Sequence, residues 1–266
     1  MIKEIDELNK KSSFSFADLV KIMKVLRSEN GCPWDREQTH ESIRKNFIEE
    51  TYEVCEAIDK KDSELLCEEL GDVLMQVVFH AALAAEEGAF TEDDVINGVC
   101  RKLIRRHPHV FGDATAETSA GVLKLWDAVK TKEKSEAGVS ASMARVPRQL
   151  PALMRAQKLQ SKAKKLGYDF ANLTEAADKL SEEKAELFEA ISKDSPTLRE
   201  EVGDLIFSAV NVARLLDLDA EECLTASADK FQARITAIEE QAVAEGVDLK
   251  ALSAEERDAR WERVKE

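Results

Sequence analysis

Two stretches of this sequence recur in the same order, and no other feature limits the fold as strongly. "IEETYEVCEAI" (48–58) aligns with "SEEKAELFEAI" (181–191), and "CEELGDVLMQVVFHAAL" (67–83) with "REEVGDLIFSAVNVARL" (199–215). Each copy reads E-E-x-x-E and then E-E-x-G-D, with the spacing between the two motifs matched to within a residue. An ordered pair of motifs repeated twice is hard to obtain by chance, even in a Glu-rich chain. The chain is therefore expected to contain two related units.

Both units read as helical. The 266 residues include only 10 Gly, 5 Pro and 6% aromatic residues, and hydrophobic residues make up 44%. That balance supports a core and favours an all-α fold. Apolar periodicity marks helices at about 39–60, 62–87 and 91–106, with Asp94 as the capping-box partner of Thr91. "FSFADLVKIMKVLRSENG" precedes them and is expected to stop at a left-handed Asn30-Gly31. The pattern resumes at about 151–165, 174–192, 196–217 and 219–245, and a last helix is opened by Ser253 with Glu256. Between the halves, "ATAETSAG" and "SEAGVSASMARVPRQLP" are linker-like. The expected organisation is two helical-bundle domains, 1–113 and 151–266, joined by a linker (114–150) with one helix.

The repeated acids carry the chemistry. In "EELGDVLMQVVFHAAL" (68–83) the polar residues Glu69, Asp72, Gln76 and His80 form one stripe on an otherwise apolar helix. The second copy repeats the stripe as Glu201, Asp204, Ser208 and Asn211. Glu50/Glu53 and Glu183/Glu186 put further carboxylate pairs on the preceding helices. Antiparallel pairing through a short connection would gather four acids in each half. Like charges one turn apart cost roughly 0.2–0.5 kcal/mol per pair on a bare helix, and more when desolvated. A cation should offset that, and all-oxygen ligation suits Mg²⁺ or Mn²⁺. Glu49, Glu56, Glu182 and Glu189 read instead as a solvated face.

Mg²⁺ held this way commonly brings substrate phosphates with it. Lys230 and Arg234, and in the first half Lys102 and Arg106, stand at i, i+4 and could meet a polyphosphate. Lys179 lies one turn before Glu183. No G-x-x-x-x-G-K-[ST] is present, so a P-loop is excluded. Trp34, Trp126 and Trp261 read as core residues by default, and His107 and His109 are too isolated to argue a metal site. A formal charge of −15 disfavours nucleic-acid binding, which needs a basic face. No stretch reaches membrane-spanning length, and the N-terminus has no apolar targeting segment. Five Cys without a CxxC pair, with Cys55, Cys67 and Cys100 expected as buried reduced thiols, fit a reducing cytoplasm.

"GCPWDREQTHESIRKNFIEETYEVCEAI" (31–58), "EELGDVLMQVVFHAAL" (68–83) and "RRHPHVFGD" (105–113) resemble the MazG nucleoside triphosphate pyrophosphohydrolases in their tandem form, over nearly the whole chain. The resemblance implies an all-α, dimeric, Mg²⁺-dependent enzyme. Such an enzyme cleaves nucleoside triphosphates between the α- and β-phosphates with a metal-activated water, leaving monophosphate and pyrophosphate. Metal ligands would be Glu183, Glu186, Glu201 and Asp204. Nucleotide contacts would fall on Lys179, Arg199, Glu200, Lys230, Arg234 and Trp261. The matching acids of the first half are Glu50, Glu53, Glu69 and Asp72. Asn46 stands there in place of Lys179, and no counterpart of Trp261 is evident, so the C-terminal half is expected to do the work on nucleotides. The tandem layout and the Pro-Trp-Asp loop favour broad specificity for ribo- and deoxynucleotides. Two other readings stay open: a non-catalytic nucleotide-binding or assembly module, and a narrower pyrimidine-nucleotide or phosphoribosyl-ATP pyrophosphohydrolase.

Overall fold

The protein is described from a computed structural model covering residues 2–134 and 139–265. Among the described residues there are helices and no strands. The chain divides into two compact units, Met1–Lys132 and Glu133–Glu266, and each is described by itself.

The first unit contains α1 (Ile2–Asn9), α2 (Phe16–Leu26), α3 (Pro33–Glu37), α4 (Arg44–Lys60), α5 (Ser63–Glu86), α6 (Glu92–Arg106), α7 (Pro108–Phe111) and most of α8 (Ser119–Lys134). Two residues join α4 to α5. Lys61 takes a left-handed conformation, and Asp62 caps α5 by accepting from the Glu64 and Leu65 N–H groups. A connection that short makes an αα-hairpin. The C-terminal part of α5 enters the core, where Val78, Phe79, Ala82 and Leu83 pack with Val20, Met23 and Ile43. Thr91 and Asp94 form the expected capping box on α6.

Helix α2 stops earlier than the sequence suggests, with Arg27 as a right-handed cap. Gly31 is needed for a different reason: a Cβ there would lie 2.2 Å from the Leu26 carbonyl oxygen. The chain turns back against the end of α2 at that point, and Cys32 N–H donates to Leu26 at 2.7 Å.

The second unit contains α9 (Val139–Ala144), α10 (Ala152–Ala163), α11 (Leu173–Ser192), α12 (Leu198–Leu215), α13 (Ala220–Glu245) and α14 (Ala254–Arg263). α11 and α12 form the second hairpin, turning at Asp194 with φ 48°. Gln160 of α10 donates to the Phe207 carbonyl at 2.8 Å, and Gln157 to that of Leu218 at 2.8 Å, fixing α10 across α12 and the turn that follows it. Buried Arg214 on α12 holds Asp169 and Asn211, which anchors the loop entering α11. Ser253 and Glu256 form a capping box on α14.

Two expectations about burial are corrected. The otherwise apolar helices that carry the acid stripes are not enclosed: Leu74 on α5 is 41% exposed, and much of the apolar surface of α12 is open too, including Ile206 at 48%. Among the described residues the flanking apolar faces are only partly covered, and the acids of the hairpins are only partly buried. Cys55, Cys67 and Cys100 are exposed rather than buried, and all five cysteines are free. No helix among the described residues is long and apolar enough to cross a membrane.

Candidate active site

Each hairpin brings three carboxylates together, one from its first helix and two from its second. Glu50 meets Glu69 and Asp72, and Glu183 meets Glu201 and Asp204, with one oxygen from each acid lying within 4.8 Å of the others. The i, i+3 spacing on α5 and α12 sets the second and third acids on one face. The hairpin turn sets the first opposite them. Glu53 and Glu186 stand exposed just outside the trios.

The first trio is under electrostatic strain. Burial, a hydrogen bond shared with Glu53 and the charge of Asp72 raise the Glu50 carboxyl above its ordinary range. Burial and then the charges of Glu53 and Asp72 do the same to Glu69. Gln76, one turn beyond Asp72 and 5% exposed, donates to Glu50, while its own Oε1 is buried with no hydrogen-bond partner. In the second trio Glu183 is 6% exposed, and the Lys179 ammonium lies 2.9 Å from it. The hydrogen bonds that Lys179 donates to Glu182 and Glu183 raise its pKa. Burial raises the Glu186 carboxyl, and the charges of Glu183, Glu182 and Glu201 add to it against the opposing effect of Lys179. Three carboxylate oxygens gathered this closely could hold a divalent metal ion.

The cationic residues sit on the third long helix of each unit. Lys230 is exposed on α13, and Arg234, one turn on, lies 5.5 Å over the Trp261 ring. Phe231 packs against the same ring with centroids 5.6 Å apart. Arg199 and Glu200 are exposed in the first turn of α12. The solvated acids behave as expected: Lys45, Lys60 and Lys193 pair along their helices with Glu49, Glu56 and Glu189.

The first unit corrects one expectation. Arg106 at the end of α6 lies 5.4 Å over the ring of Trp126 on α8, so Trp261 does have a counterpart. The signal was available in the sequence, since W-x-x-V-K occurs at 126–130 and again at 261–265. Also unforeseen is the contact of His40 with His80: their Nδ1 atoms are 2.7 Å apart and their rings stacked, with Phe47 edge-on to His80. Burial, and then the charge of His40, lower the His80 pKa.

A pair of carboxylate hairpins with cations on the next helix suits metal-assisted chemistry on a polyphosphate. The model of the MazG nucleotide pyrophosphohydrolase domain matches residues 38–111 and again 172–238. The chain belongs to the MazG nucleotide pyrophosphohydrolase family. It is 44% identical to the nucleoside triphosphate pyrophosphohydrolase/pyrophosphatase MazG of Thermotoga maritima, over 96% of this chain and 98% of that protein. It is 43% identical to the nucleoside triphosphate pyrophosphohydrolase of Escherichia coli K12, over 93% of this chain and 95% of that protein. The uncharacterized protein YabN of Bacillus subtilis is 45% identical over 94% of this chain, which covers 52% of YabN. Both MazG matches enclose an acid hairpin and the cations of the following helix, and both end before the tryptophan.

Proposed function

We propose that this MazG protein hydrolyses ribo- and deoxynucleoside triphosphates of the cytoplasm to monophosphate and pyrophosphate, with Mg²⁺ as cofactor and Mn²⁺ as a substitute. The observation that carries this reading is the Glu183, Glu201 and Asp204 trio, with the Lys179 ammonium against it. Catalysis is assigned mainly to the C-terminal domain (151–266), with 1–113 as the related N-terminal domain. Glu183, Glu201 and Asp204 would hold the ion, with Glu186 completing the set. A bound Mg²⁺ polarises phosphate oxygens and lowers the pKa of an attacking water. Lys179, Lys230 and Arg234 neutralise phosphate charge, and the Trp261 ring stacks on the base, with Arg199 and Glu200 beside the acids. Tandem domains and the Pro-Trp-Asp loop support broad base tolerance.

The reading extends to a homodimer, in which a second copy covers the apolar faces of α5 and α12. Gly71 and Gly203 support this. Each sits mid-helix, where glycine costs about 1 kcal/mol against alanine, and a Cβ would meet nothing within 4 Å among the described residues. Their smallness is not used within one copy.

ATP or dGTP with Mg²⁺ should yield monophosphate and pyrophosphate in equal amounts. Release of orthophosphate and a diphosphate would refute the cleavage position. Undiminished turnover in EDTA would refute the metal requirement, and no turnover across a panel of nucleotides would favour a binding module.

A further inference from the structure

We infer that Arg260 is a positioning residue for the nucleotide: with Glu245 it seats α14 on α13 and so holds the Trp261 ring beside Lys230 and Arg234. The inference rests on the reading that Trp261 stacks on the base.

Helix α14 meets α13 at two places. Trp261 lies against Phe231 and Arg234. The neighbouring Arg260 donates through Nη2 to Glu245, the last residue of α13. Arg234 and Glu245 are 11 residues apart. That is three helical turns, so they share one face of α13 at a separation of about 16 Å. Ile238 and Ala242, both buried, stand between them on that face. One contact alone would let α14 swivel. Two contacts so far apart fix its direction as well as its place.

Stability alone does not explain the pair. Arg260 is 6% exposed, and its Nη1 is buried with no hydrogen-bond partner among the described residues. A buried ion pair contributes little net stability, and apolar side chains of similar volume often do better. Glu245 ends α13, where the helix dipole disfavours a carboxylate. Neither charge suits its place by itself. Together they make a directional contact that an apolar pair would not supply. The ring they direct is also approached by the Lys265 ammonium, 6.0 Å from its centroid. Lys265 is exposed past the end of α14, where a base can displace it.

Steady-state kinetics on the full chain, with dGTP and Mg²⁺, test this. Trp261→Leu should raise KM on the order of ten-fold, the scale of one base stack. It should leave kcat little changed, as loss of binding shared by ground and transition states does. Arg260→Met should raise KM several-fold in the same way. In the Trp261→Leu background it should add nothing, because its effect passes through the ring. KM unmoved by Arg260→Met, or losses that multiply in the double variant, would overturn the inference and leave the role of Trp261 standing. KM unmoved by Trp261→Leu would sink the reading of Trp261 and the inference with it. Where Arg260→Met fails to fold, Glu245→Ala, at the more exposed end of the pair, takes its place with the same expected outcomes.

Discussion

Lys179 Nζ lies 2.9 Å from a carboxylate oxygen of Glu183, whose side chain is 8% exposed. In the metal-free chain this ammonium offsets part of the charge that a divalent cation would offset. On the proposed reading, lysine and ion would compete for Glu183, and a bound ion would leave Lys179 to meet the phosphates. Lys179→Met should tighten Mn²⁺ binding at the second trio by a factor of a few. Turnover should fall on the order of 100-fold, the scale of losing one charge-stabilising donor. Paramagnetic titration with Mn²⁺ reads the first effect and steady-state kinetics the second. Weaker Mn²⁺ binding in the variant would show that the lysine shapes the site instead of competing for it.

The two trios are not equivalent: among the described residues a lysine meets the buried acid of the second, and Asn46 stands at that place in the first. Glu201→Ala should abolish most turnover, and Glu69→Ala should leave much of it. Measured under identical Mg²⁺, equal losses would show that both halves hydrolyse or that they are coupled.

Burial, Glu53 and Asp72 hold the Glu50 carboxyl above its reference value of 4.5. The native state thus keeps a proton that the unfolded chain has lost once the pH exceeds about 4.5. More protons bound in the native state means that stability falls as pH rises through that window. Glu50→Gln removes this penalty. In metal-free protein its melting temperature should match the parent below pH 4.5, exceed it increasingly toward neutrality, and lose the advantage when Mg²⁺ is added. An advantage independent of pH, or undiminished by Mg²⁺, would refute the role given to Glu50.

Much of this arrangement was legible because it is periodic. The i, i+3 acids, the capping boxes at Thr91 and Ser253, and the paired hairpins follow from local spacing that helices obey wherever they pack. What was missed depends on contacts distant in sequence. Trp126 belongs beside Arg106 through the packing of α8, although its W-x-x-V-K motif was present to be matched. His40 and His80 lie 40 residues apart, and neither position signals the other. The exposure of Leu74 and Ile206 was misjudged because apolar periodicity shows that a face will be covered, not whether the same chain covers it.

That face leads to the last prediction. Apolar side chains beside the acids stand open to solvent: Leu70 and Leu74 on α5, Val202 and Ile206 on α12. Leaving those faces in water while the trios bind a polyphosphate would cost both stability and dryness at the site. A second copy presenting the same surfaces, as proposed, would satisfy both through two-fold symmetry. Light scattering at low micromolar concentration should give twice the 29.7 kDa chain mass. Ile206→Asp should shift the protein toward monomer and lower turnover together. A monodisperse monomer that still hydrolyses nucleotides would end the idea, and would mean that the apolar faces are covered within a single chain.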